Sequence, residues 1–360
     1  MVDDGTGLDL WTSRVDGAEL LFRLADPDAE MTAVRLWQDL GIPGDQLDLT
    51  AVDGGWELRL TRPSTHRVEY RFEVTAADGT SSEVLDPTNP QVVGSAFGER
   101  SWLALPGYVP PAWVDVRSVD STSTELVVAG TPVGDVELRV WSPADAEPSE
   151  PLPLLLSHDG PEFASFAGLP HYVGAGVATG ALPRMRLVLL RPGNRNPWYA
   201  ANPEHTAALV DHVLPAIRFA VASRSAVLMG ASLGALAALH AEWTRPATFA
   251  GLLLQSGSFF RPATDPQESG YAYYEPVTAF VEQVLGTDTA PSRPVVTMTC
   301  GAVEENVHNN RVMAAHLAAA GIPVELVETP DVHSFTAWRD MLDPHLTRLL
   351  QRVWGHDRAA

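Results

Sequence analysis

The stretch Val227-Leu228-Met229-Gly230-Ala231-Ser232-Leu233-Gly234-Ala235-Leu236-Ala237-Ala238-Leu239-His240 decides the fold. It reads as a short apolar strand, a G-x-S-x-G turn and then an Ala/Leu-rich helix. That context makes the pentapeptide a candidate nucleophile elbow, with the serine forced onto a tight strand-to-helix corner. Gly230 and Gly234 lack the Cβ atoms that would collide there. The helix turns its N-terminal amides toward any oxyanion that forms at the serine. The plain alternative is a Gly-Ser turn in a Rossmann-like sheet, so partners elsewhere in the chain must decide.

Outward from the elbow, apolar runs alternate with helical patterns. Strands are expected at Glu125–Ala129, Val136–Trp141, Leu152–Ser157, Met185–Leu190, Ser225–Met229, Phe249–Gln255, Pro294–Thr299 and Val324–Glu328. The middle ones are almost continuously apolar, as strands buried on both faces should be. Helical segments are expected to include Pro203–Ser223, Ala235–Arg245, Tyr274–Leu285 and Asn306–Ala320. This alternation implies a mostly parallel sheet flanked by helices, with its site at the C-terminal ends of the strands.

The N-terminal part has a different rhythm. Glu19–Arg23, Ala33–Trp37, Trp56–Leu60 and Val68–Val74 alternate with period two and are separated by Asp, Gly and Pro clusters. They read as antiparallel strands of a small β-sandwich. Asp86 to Trp113 is loop-like, punctuated by Asp86-Pro87-Thr88-Asn89-Pro90 and Pro106-Gly107-Tyr108-Val109-Pro110-Pro111. Two domains are expected, residues 1–115 and 116–360. The Asp86–Pro90 element is read as packing filler between them.

An activated serine needs a base within hydrogen-bond reach, and the base needs an orienting acid. Position selects the candidates. Glu304 follows the strand Pro294–Thr299 and the turn at Gly301, and His333 follows the last strand. Glu305, Asp331 and a simple Ser/His dyad are the alternatives for the third role. The other histidines sit mostly on helical patterns, and His158 stands at a strand end where it could line the pocket. The first oxyanion donor is the N–H of Leu233, the residue after the nucleophile. The second belongs to the loop after Leu152–Ser157; Pro161 has no N–H, so Gly160 or Glu162 must supply it, with Gly160 preferred.

Composition bounds the rest. The net charge is −21, and all 24 basic residues are arginines. Such a surface argues against nucleic acid and anionic membranes as partners. The single cysteine, Cys300, excludes an intrachain disulfide and reads as buried filler. The histidines lack ligand spacing, so neither a metal nor another cofactor is expected. The acidic opening of residues 1–5 leads into no signal-peptide core, and no run approaches ~18 apolar residues, which makes the cytoplasm the expected location.

Several short elements, in this order and spacing, resemble the enterochelin esterase family. They are Asp86-Pro87-Thr88-Asn89-Pro90, Leu105-Pro106-Gly107-Tyr108 with Pro111-Ala112-Trp113, His158-Asp159-Gly160, and Arg195-Asn196 with Trp198-Tyr199. The serine elbow, Gln255-Ser256-Gly257-Ser258, Gly301-x-x-Glu304 and His333 with Trp338-Arg339 complete the set. The resemblance spans nearly the whole chain. It implies an α/β-hydrolase domain with an N-terminal β-sandwich of Ig or E-set type. It also implies a small-molecule substrate, a cyclic catecholate trilactone siderophore, free or ferric, whose ester hydrolysis releases iron in the cytoplasm. Around the base the family often has Gly-Gly-His-Asp, where this chain has Asp331-Val332-His333-Ser334. For an anionic ferric catecholate, Arg195 and Arg339 are the candidate contacts, with Trp198, Tyr199 and Trp338 as stacking surfaces. Trp338 reads better as core behind His333. A feruloyl or sugar ester is the second enzymatic reading, and a non-catalytic binding protein of this fold is the third. Whether the chain forms a homo-oligomer stays open.

Overall fold

The computed structural model describes residues 11–355; the acidic opening read above, residues 1–5, lies outside them. The chain groups into two compact units. The first holds the described residues up to Val109 together with Pro330–Ser334, and the second holds Pro110–Thr329 and the chain from Phe335 onward.

The first unit contains β1 (Arg14–Asp16), β2 (Glu19–Ala25), β3 (Met31–Gln38), β4 (Thr50–Val52), β5 (Gly55–Thr61), β6 (Arg67–Ala76), β7 (Ser81–Val84), β8 (Val92–Val93) and β9 (Arg100–Ala104). They form two antiparallel sheets, ordered β1-β2-β5-β4 and β3-β6-β9-β8, with β7 beside the far half of β6. The period-two pattern explains the sandwich. Leu20, Phe22 and Leu24 from one sheet meet Val34, Leu36, Val68, Tyr70 and Phe72 from the other in a single core. Two expectations change. The stretch read as loop contains β9, paired with β6 from Arg67↔Ala104 to Tyr70↔Ser101. Asp86–Pro90 is a polar knot inside this unit. Asp86 accepts hydrogen bonds from Tyr70 Oη at 2.7 Å and from the Thr88 amide at 2.9 Å, while Asn89 donates to Tyr70 Oη and to the Trp102 carbonyl.

The second unit is built on β10 (Ser121–Thr131), β11 (Gly134–Pro143), β12 (Leu152–Ser157), β13 (Arg186–Leu190), β14 (Ser223–Ala231), β15 (Gly251–Gln255), β16 (Val295–Gly301) and β17 (Val324–Thr329). The eight strands run in the order β10-β11-β13-β12-β14-β15-β16-β17. Only the pairings of β11 with β10 and β13 are antiparallel. The helices are α1 (Gly160–Phe166), α2 (Leu169–Thr179), α3 (Arg195–Tyr199), α4 (Pro203–Ala207), α5 (Leu214–Ala220), α6 (Leu233–Thr244), α7 (Tyr274–Leu285), α8 (Val307–Ala319), α9 (Phe335–Asp340) and α10 (Thr347–Trp354). A π-helical turn, Ala208–Val213, joins α4 to α5. The apolar strands serve both faces by alternation. Leu154, Leu156, Leu228, Leu252 and Leu254 pack toward α6 on one side. Leu155, Leu187, Val227, Met229 and Leu253 pack with Leu349 and Leu350 of α10 on the other. No helix among the described residues is long and apolar enough to cross a membrane.

Candidate active site

Ser232 stands between the end of β14 and the start of α6 with φ 56° and ψ −124°. A non-glycine residue with positive φ in this region stores on the order of 1–3 kcal/mol of strain, which the surroundings must hold in place. They do so through the backbone. The Ser232 amide donates to the Gln255 carbonyl at 2.9 Å, and the Ser258 amide donates to the Ser232 carbonyl at 3.2 Å. A Cβ on Gly230 would strike the Gly234 backbone, so the corner closes only with glycine there. Ser232 is half-buried within an otherwise buried run, which leaves its hydroxyl reachable. Its Oγ lies 3.1 Å from the Oγ of Ser258.

The loop after β15 links this corner to Glu304. Ser256, also at positive φ (48°), donates from Oγ to Glu304 Oε1 at 2.7 Å. The same carboxylate oxygen accepts the Gly301 amide at 2.8 Å. Trp338 Nε1 in turn donates to Ser256 Oγ at 2.9 Å, so an indole, a hydroxyl and a carboxylate form one buried chain. Asn306 and Asn310 hold the loop from the other side through the carbonyls of Ser256 and Gly257 and the Gly257 amide. Glu304 is thus buried and oriented. Glu305 faces outward and accepts from Gln267 Nε2.

A second cluster follows β12. Asp159, at φ 50°, is buried and receives Arg195 in a fork, Nε to Oδ1 at 2.7 Å and Nη2 to Oδ2 at 2.8 Å. The Asp159 amide donates to Tyr199 Oη at 3.2 Å. A Cβ on Gly234 would come within 3.2 Å of Asp159 Oδ2, so this carboxylate lies against the start of α6. Gly160 opens α1, where a first-turn amide has no intrahelical partner. A Cβ there would strike the backbone of Leu189 and Leu190. His158 is fully buried against Tyr199 and His205, with ring centroids at 4.8 and 5.4 Å. Burial, then the neighbouring His205 and Arg195, drive its pKa well below the ordinary value.

Some expected contacts are therefore placed differently. Tyr199 is buried at 1% exposure and supports Asp159 by accepting its amide, so its ring offers no open face for stacking a ligand. Arg195 keeps a half-exposed side chain, but its Nε and Nη2 are committed to Asp159. Trp198 is half-buried and stacks on His205. Arg339 donates from Nε to Asp340 at 2.8 Å. Trp338 is buried and packs edge-on against Phe335.

His333 is half-buried in the loop that leaves β17. Its neighbour Asp331 is engaged by Arg67, whose Nε and Nη2 both donate to Oδ2. His308 and His212 are exposed on helices, and His316 pairs with the Thr287 carbonyl. The roles of Ser256, Ser258, Asn306 and Asn310 escaped the sequence reading, although Gln255-Ser256-Gly257-Ser258 stood among the resembling elements. Among the described residues, no group of three His, Cys, Asp or Glu side chains is placed to hold a metal ion.

A mostly parallel eight-stranded sheet, with a strained serine at the turn from β14 into α6, defines the second unit as an α/β-hydrolase fold. Residues 131–349 match the family described as "Putative esterase", and the chain belongs to this Esterase family. Among solved structures, the enterobactin esterase of Shigella flexneri, in the presence of 2,3-dihydroxy-N-benzoyl-glycine, is 19% identical with a TM-score of 0.75 over 96% of both chains. The ferric enterobactin esterase of Salmonella typhimurium is 19% identical with a TM-score of 0.77, over 94% of this chain and 95% of that one. A ferulic acid esterase superimposes on 65% of this chain and 99% of its own length, with a TM-score of 0.54 and 16% identity. At such identities the likeness is one of fold. No curated protein matches the chain in sequence.

Proposed function

We propose that this protein is a serine esterase that hydrolyses the ester bonds of a cyclic catecholate trilactone siderophore of the enterobactin type, and so releases iron in the cytoplasm. The observation that carries the reading is the strained, reachable Ser232, braced by the loop that also orients Glu304. The fold shared with enterobactin esterases over nearly the whole chain supports the substrate class. The likeness to the ferulic acid esterase supports a feruloyl-type substrate as the second reading, but it leaves the rest of this chain unmatched.

In the proposed reaction, Ser232 Oγ attacks the ester carbonyl while His333 takes its proton and Glu304 holds the imidazole in the needed tautomer. The amides of Leu233 and Gly160 receive the oxyanion. The intermediate collapses by breaking the bond to the substrate's own ester oxygen, which leaves with the proton from His333. Water then attacks the Ser232 ester while giving a proton to His333, and Ser232 Oγ leaves as it takes that proton back. Arg195, held by Asp159, and Arg339 are proposed to meet an anionic substrate, with Trp198 as the aromatic surface.

The test is mass analysis of products from the purified protein given iron-free and ferric trilactone. Linear fragments and catechol-acylated serine units are expected, and Ser232→Ala should yield none. Inertness toward every lactone, with brisk turnover of feruloyl esters, would reverse the ranking of the two readings.

A further inference from the structure

The loop that carries His333 is fastened on both sides of that residue to β6 of the N-terminal unit. Along β6, Val68, Tyr70 and Phe72 enter the sandwich core, so Arg67 and Glu69 lie on the opposite face. A face of that composition is ordinarily solvated, yet both side chains are buried. On the N-terminal side of the histidine, Arg67 donates to Asp331 Oδ2 from Nε at 3.1 Å and Nη2 at 2.8 Å, and the His66 amide donates to the Pro330 carbonyl at 2.7 Å. On the C-terminal side, Ser334 Oγ donates to Glu69 Oε1 at 2.9 Å.

The anchors are themselves anchored. The Arg67 guanidinium lies 4.6 Å from the Tyr108 ring centroid. Arg100 reaches Glu69 at 3.4 Å and Asp39 at 2.5 Å. Inside the loop, the Val332 amide donates to Asp331 Oδ1 at 3.0 Å and the Ser334 amide to the Val332 carbonyl at 3.0 Å. Buried ion pairs of this kind are a poor source of stability, because desolvation offsets most of the attraction. What they supply is a fixed geometry.

We propose that Arg67 and Glu69 are positioning residues for the imidazole of His333: the N-terminal unit sets the backbone on either side of the base through Arg67–Asp331 and Glu69–Ser334. This rests on the assignment of His333 as the base. The sandwich thereby takes part in each turnover without touching the reacting atoms. A misplacement of about 1 Å at a general base is enough to cost on the order of 10²-fold in rate.

The experiment uses the full chain, steady-state hydrolysis of p-nitrophenyl acetate, and thermal melting. Ser334→Ala removes one anchor with little change of volume. Arg67→Met combined with Asp331→Leu removes both charges of the other anchor together, so no buried charge is stranded. For both variants the expected result is a kcat lowered on the order of tenfold or more, with KM within about twofold of the parent. Conversion of Ser334 to Thr, which restores a hydroxyl, should recover most of the loss. If Ser334→Ala and the double variant keep the parental kcat, the inference is overturned; should the double variant not fold, Ser334→Ala and its threonine rescue decide alone. His333→Ala separates the two levels. An active His333→Ala enzyme removes the base assignment itself, whereas an inactive one beside fully active anchor variants removes only the positioning role.

Discussion

Ser256 Oγ donates to Glu304 Oε1 at 2.7 Å while accepting the indole N–H of Trp338 at 2.9 Å. One hydroxyl therefore orients Glu304, the proposed acid, and ties it to the core. Replacing it leaves a buried carboxylate short of a donor and a buried N–H short of an acceptor, at about 1–3 kcal/mol for each group. Ser256→Ala should lower kcat more than it raises KM and should destabilise the protein in urea. Trp338→Phe should reproduce part of both effects. Unchanged kcat in both variants would remove this relay from the mechanism.

The corner at Ser232 yields a prediction with opposite signs for activity and stability. Its φ of 56° costs energy for any residue with a Cβ and little for glycine. Ser232→Gly should abolish ester hydrolysis and raise the unfolding free energy by about 1 kcal/mol. Ser232→Ala should be as inactive without the gain. Equal stability of the two variants would show that the corner is relaxed.

Gly230 should tolerate no side chain. Its Cβ would meet backbone rather than a movable side chain, so Gly230→Ala must open the turn between β14 and α6. Loss of activity together with a lowered melting temperature is expected. A wild-type melting curve would contradict the close approach.

The Asp159–Arg195 fork predicts an asymmetry between its partners. Asp159 is almost wholly buried, and Arg195 keeps about a third of its side chain in solvent. Arg195→Ala strands a buried carboxylate and should cost about 3 kcal/mol, discounted for the water that reaches the vacated space. Arg195→Lys should recover part of that loss but not the fork. If Arg195 also meets an anionic substrate, both variants raise KM for a ferric trilactone more than for a neutral p-nitrophenyl ester. Equal KM changes on the two substrates would confine Arg195 to holding Asp159.

Acid should weaken the fold through its buried histidines. Burial, then His240, lowers the His205 pKa to about 4, and burial, then Arg245, lowers that of His240 to about 4. The unfolded chain protonates them near 6.5, so between pH 6.5 and 4 the unfolded state binds more protons. Their contribution is complete above pH 6.5 and declines as pH falls through that window, by roughly 3 kcal/mol per histidine. Urea unfolding across the window measures the slope, and His205→Gln should flatten it. A slope that is the same in the variant would place the acid sensitivity elsewhere.

The sheet was legible because β12, β14 and β15 are apolar on both faces and the elbow between β14 and α6 has a fixed chemistry. Other elements gave no such signal. β9 begins with Arg100 and Ser101 between turn-forming residues, and its pairing with β6 is a long-range fact. α2 carries Gly174 and Gly176, poor helix formers whose place is explained only by close packing on Ser118 and Leu182. In the site, residue types and chain order single out Ser232, Glu304 and His333 as candidates. The pairing of Asp159 with Arg195, or of Ser256 with Glu304, arises only when separate strand ends converge. Periodicity carries no information about that convergence.

The fastening of Asp331 by Arg67 has a consequence for descent. A carboxylate buried at 331 with no cation at 67 would lose both guanidinium donors and keep only His66 at 3.7 Å, and a guanidinium at 67 without that carboxylate would lose the acceptor of its Nε and Nη2. Neither position can drift alone at low cost, so lineages of this esterase should have inherited or discarded the two together.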